Sequence, residues 1–294
     1  MKKSIKVRNI TKIIGKKKVL DNISFDVYEG EILGIVGASG SGKTTLLRVM
    51  TGIYNINQGE IYYYGIDLEK NYEKAMSVVG NTLENPNIYI NTNKNNLDLF
   101  KTMLKGIDEE SIEGIVKIIE MEKHLGKKFK TNTLGMKERL KIANSLINKP
   151  KILILDNPFK GLSLIQKTNV IKLLRGLKDT TIVIATNKLS EIEYLCNKII
   201  FLNDGKIENI HIIENNNKKN VTFEVDDFSK ARLLMNDYCI NENLEVYETD
   251  EKISEINREL MLNNINVYRI YDSNNTLEQT FYDIANKKEE DSPY

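Results

Sequence analysis

The chain of 294 residues contains no tryptophan and only two cysteines and two histidines. Cys196 and Cys239 lack the spacing of a metal-ligand pair. They therefore predict no metal site, and their scarcity suits a reducing compartment. Because His124 and His211 are the only histidines, any motif that needs a histidine elsewhere is excluded.

Neither sign of charge predominates, since 42 Lys and Arg residues face 41 Asp and Glu residues and the net charge is +1. No basic block predicts a nucleic-acid partner, and the short cluster Lys16–Lys18 is interpreted as a solvated turn. No apolar run approaches the roughly 20 residues of a membrane-spanning helix. The N-terminus meets polar residues too early for a signal peptide. We therefore expect one large and one small domain without a membrane span.

The most informative motif is a glycine-rich run between an apolar strand pattern and a helical pattern. It matches G-x-x-x-x-G-K-[ST] at every fixed position. The run consists of Gly37, Ala38, Ser39, Gly40, Ser41, Gly42, Lys43 and Thr44, and Thr45 follows it. Its glycines allow backbone N–H groups to surround a phosphate, and the following helix N-terminus adds partial positive charge. Lys43 can reach the outer phosphates and Thr44 can ligate Mg²⁺, so the motif predicts nucleoside triphosphate binding.

A second apolar strand pattern, Lys151–Leu155, ends in Asp156. This arrangement places a Mg²⁺-coordinating carboxylate beside a phosphate-binding loop. Before it stands Thr133–Lys137, followed by a helical pattern. In this order the features resemble the ATP-binding subunits of ABC transporters, with Thr133–Lys137 as a variant of the family's signature motif. The resemblance covers residues 1 to about 210. It implies an α/β P-loop NTPase cassette with a mixed sheet core and a helical subdomain.

A narrower resemblance involves Gly80–Pro86. This segment is similar to the one in which bacitracin- and lantibiotic-type peptide-resistance exporters carry Glu in place of Gln. Glu84 is identified with that residue, which implies a place near the metal and the reacting phosphate. The resemblance also implies that part of the signature acts across a dimer interface on the partner's ATP. The residues assigned to this role are Thr133, Leu134, Gly135 and Met136.

A polar linker at 215–220 marks the expected domain boundary. We predict a cassette over 1–214, with its helical subdomain at about 85–148, followed by a small C-terminal α/β domain over 221–286 and a tail over 287–294. Within the cassette we expect antiparallel strands at 7–10 and 23–27, helices at 45–50, 97–104, 111–120 and 137–146, and a βαβ unit over 151–186. The second domain alternates strands with helices and ends in a helix at 277–285.

Two departures from the family pattern concern hydrolysis. Asn157 stands where the family has a carboxylate that polarises the attacking water. An amide cannot accept the proton of that water, and loss of a general base costs about 10²–10⁴-fold in rate. Asn187 stands where the family has its switch histidine, and neither histidine of the chain lies near that position. The resemblance therefore implies that catalysis is impaired.

Two further departures concern the rest of the site. Ile14 stands where an aromatic ring would stack on adenine, a contact of about 1–3 kcal/mol. Ser163 replaces an aspartate in Gly161–Leu164. By contrast, the residues that would hold triphosphate and metal are retained.

The sequence therefore predicts the ATP-binding subunit of an antimicrobial-peptide-resistance ABC exporter, with ATP and Mg²⁺ as cofactors and impaired hydrolysis. The resemblance implies a membrane-spanning permease subunit as partner and a second cassette, either identical or an intact ATPase subunit. It also implies a cytoplasmic location, peripheral at the inner face of the cell membrane. Two alternatives stay open: a slow but active homodimeric transporter ATPase, and a non-transport regulatory module gated by ATP.

Overall fold

The structure, a computed structural model, describes residues 2–83, 92–103, 109–213, 218–239, 241 and 243–272. The chain divides into two compact units, Met1–Ile213 and Glu214–Tyr294. The described strands of the first unit are β1 (Lys3–Ile14), β2 (Lys17–Tyr28), β3 (Ile32–Val36), β4 (Gln58–Tyr63), β5 (Ile66–Asp67), β6 (Val79–Asn81), β7 (Ile152–Asp156), β8 (Thr181–Thr186), β9 (Lys198–Asn203) and β10 (Lys206–Ile212). Its described α-helices are α1 (Lys43–Met50), α2 (Tyr72–Met76), α3 (Asn93–Met103), α4 (Glu109–Ile118), α5 (Leu134–Leu146) and α6 (Leu164–Gly176).

The described strands of the first unit form two sheets. One has the order β2-β1-β4-β5 and is antiparallel. The other has the order β10-β9-β3-β8-β7-β6, in which every pair is parallel except β9 with β10. Val36 pairs with Thr186, and Asp156 pairs with Ala185, so β3, β7 and β8 end at the same edge. Because parallel strands run in one direction, the segments that follow these three strands meet there.

The main core lies between these sheets and α1. Strands β3, β7 and β8 are almost continuously apolar and buried, as expected for parallel strands that are covered on both faces. A separate apolar cluster belongs to the helical region, where Leu97, Val116 and Leu140 pack together. Helices α3, α4 and α5 therefore form a subdomain with its own core.

One buried cation joins two of these helices. Arg139 of α5 is 4% exposed, and its Nη1 donates to the carbonyl oxygens of Ile119 and Glu120 at 2.6 and 3.1 Å. Burial lowers the pKa of the guanidinium, and the charge of Glu120 partly offsets this shift. The contact satisfies carbonyls directly after α4, where a helix leaves such groups without partners.

The second unit contains β11 (Lys218–Val225), α7 (Phe228–Leu234), β12 (Glu245–Thr249), α8 (Asp250–Leu262) and β13 (Val267–Asp272). Its antiparallel sheet has the order β12-β11-β13. Phe223, Val246 and Ile256 belong to the apolar cluster between this sheet and the two helices. The predicted helix at 277–285 and the tail at 287–294 lie outside the described residues.

Several predicted boundaries are wrong. Lys17 and Lys18 belong to β2, because Gly15 adopts φ +60° and closes a tight turn with Lys16. Helix α5 begins three residues before the predicted Lys137, and α1 begins at Lys43 instead of Thr45. In the second unit, Lys218–Asn220 pair with β12 and do not belong to a linker.

Candidate nucleotide-binding site

The glycine-rich loop connects β3 to α1 at the shared edge. A Cβ on Gly37 would lie 2.1 Å from the carbonyl oxygen of Leu202, so a side chain is sterically excluded. Gly42 adopts φ +107° as the N-cap of α1, a conformation that side chains rarely adopt. Among the described residues, no heavy atom outside its chain neighbours lies within 4 Å of a Cβ built on Gly40, so they leave this side of the loop open.

Lys43 points into the loop. Its side chain is largely buried, at 6% exposed, and its Nζ donates to the carbonyl oxygens of Gly37 and Ala38, each at 2.8 Å. A further bond of 3.2 Å reaches the Oγ of Ser41, which is completely buried. The ammonium is thus held at the N-terminus of α1, where the helix dipole also favours an anion.

Asp156 contacts both the loop helix and its own neighbour. The hydroxyl of Thr44 donates to Asp156 Oδ2 at 2.8 Å. The side-chain amide of Asn157 donates to Asp156 Oδ1 at 2.8 Å. The backbone N–H of Asp156 donates to the Oγ1 of Thr82 at 3.0 Å. The structure therefore brings the predicted metal residues Thr44 and Asp156 into direct contact.

Asn157 is fixed by its backbone as well as by its amide. Its N–H donates to the Ala185 carbonyl oxygen at 2.8 Å, and its φ is +48°. This left-handed conformation is tolerated by Asn more readily than by most residues. The side-chain amide consequently faces the carboxylate of Asp156.

Asn187 follows β8 at the same edge and is exposed. The residue before it is anchored, because the Thr186 hydroxyl donates to Glu191 Oε2 at 2.9 Å and accepts from the Lys188 N–H at 3.2 Å. Glu191 in turn pairs with Lys167 of α6 at 2.7 Å. The turn that carries Asn187 is therefore tied to α6.

Two further predicted positions, Ile14 and Ser163, are exposed. Ile14 ends β1 and is 46% exposed. Ser163 is the N-cap of α6, where its hydroxyl accepts from the Gln166 N–H. The side-chain oxygen of Gln166 in turn accepts from the Ser163 N–H. Serine thus supplies the helix cap at this position. Glu84 lies outside the described residues.

The signature residues form the N-terminus of α5. The hydroxyl of Thr133 caps the helix by accepting from the Met136 N–H at 3.3 Å. Gly135 is buried, and a Cβ there would lie 2.4 Å from the Gly161 carbonyl oxygen. Met136 is 7% exposed, whereas Thr133 is exposed and Leu134 is 46% exposed. Within the chain, Gly135 thus permits close approach of the Gly161 backbone, and Thr133 and Leu134 face outward.

Two contacts were not predicted from the sequence: one lies at this edge of the sheet, and the other lies at the opposite edge, where β3 and β9 begin. Thr82 contacts Asp156, and its only sequence signal is a polar residue at the end of a short apolar strand pattern. Glu31 forms an ion pair of 2.7 Å with Lys198, and both side chains are mostly buried.

Among the helices of the described residues, none is both long enough and apolar enough to cross a membrane.

Comparison with known proteins supports the same assignment. A family model described as ABC transporter matches residues 20–160. The bacitracin transport ATP-binding protein BcrA of Enterococcus faecalis is 32% identical, with 94% of each chain covered. The lantibiotic transport ATP-binding protein SrtF of Streptococcus pyogenes is 32% identical over 69% of this chain and 88% of its own length.

A solved ATP-binding subunit of an ABC transporter has the same fold. It superposes with a TM-score of 0.65, at 20% identity, over 87% of this chain and 99% of its own. The resemblance and the fold class inferred from the sequence are therefore confirmed. The phosphate-binding loop, the edge shared by β3, β7 and β8 and the near-full-length relatives lead to one conclusion: the chain belongs to the ABC transporter family, as an ATP-binding subunit.

Proposed function

We propose that this subunit binds Mg-ATP, uses the bound nucleotide to close against a second cassette, and hydrolyses it only weakly. The observation that carries the proposal is the bond from the Asn157 amide to the Asp156 carboxylate. At the position where the family has a water-activating carboxylate, this chain has a hydrogen-bond donor that faces the metal ligand. The site is thus suited to holding a nucleotide more than to cleaving it.

The retained residues fit Mg-ATP. Thr44 and Asp156 present hard oxygen atoms 2.8 Å apart, the ligand type that Mg²⁺ prefers. Mg²⁺ usually takes its remaining ligands from waters and substrate phosphates. Glu84, which lies outside the described residues, stays a predicted residue of the metal site. Lys43 bonds to neutral oxygens of its own loop, and phosphate oxygens are stronger partners for an ammonium.

The hydrolytic step lacks the proton acceptor that the family has at position 157. An amide at 157 can hold a water but cannot accept its proton, which costs about 10²–10⁴-fold. Asn187 cannot supply the missing base, since it is also an amide. Residues that act as one catalytic unit are strongly non-additive. We therefore expect the two changes together to suppress turnover while leaving nucleotide affinity in place.

The bound nucleotide acts at an interface between cassettes. Thr133 and Leu134 are the outward-facing signature residues that contact the partner's nucleotide. Closure drives a membrane-spanning permease subunit, which places the complex at the inner face of the cell membrane. The names of BcrA and SrtF support a peptide antibiotic as cargo. A partner cassette with an intact site can then hydrolyse the ATP that this signature completes.

The test is a repair series assayed for single-turnover ATP hydrolysis. The variants are Asn157→Glu, the double variant Asn157→Glu/Asn187→His, and the double variant with Ser163→Asp added. We expect little recovery from the single change and at least about tenfold recovery from the double variant. Glu at position 157 must adopt a left-handed conformation, which costs about 1 kcal/mol.

The matched control is Asn157→Gln/Asn187→His. Gln has the length of Glu and the same backbone strain but no carboxylate, so it isolates the proton acceptor. Nucleotide affinity is measured on every variant to separate binding from chemistry. Equal hydrolysis by the Glu and Gln double variants contradicts the proposed role of Asn157.

A further inference from the structure

Thr82 connects the edge strand β6 to the end of β7. The last register pair of these strands is Asn81 with Ile154. Beyond it, the backbone N–H of Thr82 donates to the Ile154 carbonyl oxygen at 3.1 Å. The Thr82 side chain, in a residue only 7% exposed, then accepts the N–H of Asp156 at 3.0 Å. One residue therefore continues the ladder by a backbone bond and a side-chain bond.

The hydroxyl replaces a backbone partner that β6 does not supply. The N–H of Asp156 faces the side of β7 on which β6 has already ended. A buried N–H without an acceptor is costly, so this bond fixes the peptide that carries the Asp156 side chain. The Thr44 hydroxyl donates to Asp156 Oδ2, and the Asn157 amide donates to Asp156 Oδ1. With the bond to Thr82, Asp156 is therefore held at three atoms.

We propose that Thr82 is a positioning residue that fixes Asp156 for the Mg²⁺ of the bound nucleotide. The proposal rests on the Mg-ATP binding proposed above. Mg²⁺ requires near-ideal octahedral geometry. A small displacement of the carboxylate, or of a water that the carboxylate orients, therefore weakens the binding of Mg²⁺. Residues that hold a metal ligand without touching the metal typically contribute about 10–100-fold to metal affinity.

The experiment measures ATP affinity by isothermal titration calorimetry with Mg²⁺ and, separately, with EDTA. The readout is the ratio of the two dissociation constants, which a general loss of stability leaves unchanged. Thr82→Val keeps the shape of the side chain and removes the acceptor. We expect the enhancement by Mg²⁺ to fall about tenfold in this variant, with the affinity in EDTA preserved. Thr82→Ser keeps the hydroxyl and restores the enhancement.

A matched control removes another buried threonine hydroxyl far along the sheet. Thr181 begins β8, is fully buried, and accepts from the Gly30 N–H at 3.2 Å. Thr181→Val should leave the ratio at the wild-type value. If Thr82→Val does not fold, Thr82→Ala serves in its place, since it also lacks the acceptor.

The possible outcomes separate this inference from the proposed function. An unchanged ratio in the folded Thr82→Val or Thr82→Ala variant overturns the positioning role while Mg-ATP binding stands. An equal loss in Thr82→Ser also overturns it, because the hydroxyl is then not the cause. A wild-type protein that binds ATP without any enhancement by Mg²⁺ overturns it as well. Failure of the wild type to bind ATP refutes the proposed function itself.

Discussion

Replacement of Lys43 by methionine should abolish tight nucleotide binding while leaving the fold intact. Methionine keeps most of the buried apolar stem and removes the ammonium, which donates three hydrogen bonds within the loop. In the nucleotide complex we expect these bonds to be exchanged for charge-assisted bonds to phosphate oxygens. The variant therefore isolates the charge from the packing of the side chain.

The magnitude follows from this exchange. The bonds from the Lys43 ammonium to the carbonyls of Gly37 and Ala38 already involve one charged partner, so each contributes about 1.5–3 kcal/mol. Removal of one member of a buried, hydrogen-bonded charge pair, such as ammonium and phosphate, costs about 2–5 kcal/mol of binding free energy. At about 3 kcal/mol, within that range, Lys43→Met should weaken ATP binding by about 100-fold. Without nucleotide, two loop carbonyls and the buried Ser41 hydroxyl lose a partner, which costs about 1–3 kcal/mol of stability.

The assay is calorimetric titration with ATP and Mg²⁺, accompanied by thermal unfolding. Lys70→Met is the control, because Lys70 is an exposed lysine paired with Asp67 and should change neither affinity nor stability by more than about 1 kcal/mol. Unchanged ATP affinity in a folded Lys43→Met variant would refute the assignment of the phosphate-binding loop.

Three further predictions concern adenine stacking, a buried ion pair and acid stability. Ile14→Tyr should tighten ATP binding about tenfold, measured by calorimetric titration, since it adds a ring where the family stacks one on adenine. An unchanged affinity would mean that adenine does not lie against residue 14. Lys198→Met removes the cation beside the mostly buried carboxylate of Glu31, which keeps its bond from the Tyr28 N–H, and should lower the free energy of unfolding in urea by about 3 kcal/mol. Burial alone would raise the pKa of Asp26. Hydrogen bonds from Lys3 and Arg8 outweigh this effect, so the net pKa of Asp26 is lowered. Because the native pKa is lowered, the Asp26 carboxylate stabilises the fold at pH values above its unfolded pKa near 4, and this contribution is lost on acidification. The Asp26→Asn variant should therefore lose less stability than the wild type between pH 5 and pH 3.

Much of the fold was predictable because its signals are local. The apolar runs of β3, β7 and β8 and the glycines of the loop can be recognised in the sequence without knowledge of which strands pair. The wrong boundaries arose where caps and turns decide the outcome. Thr133 extends α5 backward by capping it, and the left-handed Gly15 shortens the β1–β2 connection to two residues.

The site was predictable in its composition but not in its hydrogen bonding. Sequence motifs identify Lys43, Thr44 and Asp156 because their spacing is fixed by the chemistry of phosphate and metal. They do not reveal that Asn157 donates to Asp156 or that Thr82 accepts from it, because those bonds depend on where β6 ends and on a left-handed residue after β7. The buried environment of Gly135 likewise depends on Gly161, which is distant in sequence.

Whether this subunit holds ATP without cleaving it is tested most directly by single-turnover hydrolysis of the purified wild type. The protein is first saturated with Mg-ATP and then freed of unbound nucleotide. ATP binding is quantified on the same sample, so that a low rate cannot reflect an empty site. We expect full occupancy with hydrolysis barely above the rate without protein, because Asn157 and Asn187 supply no proton acceptor. A rate on the order of 1 s⁻¹ or faster, as ordinary enzymes reach, would contradict it.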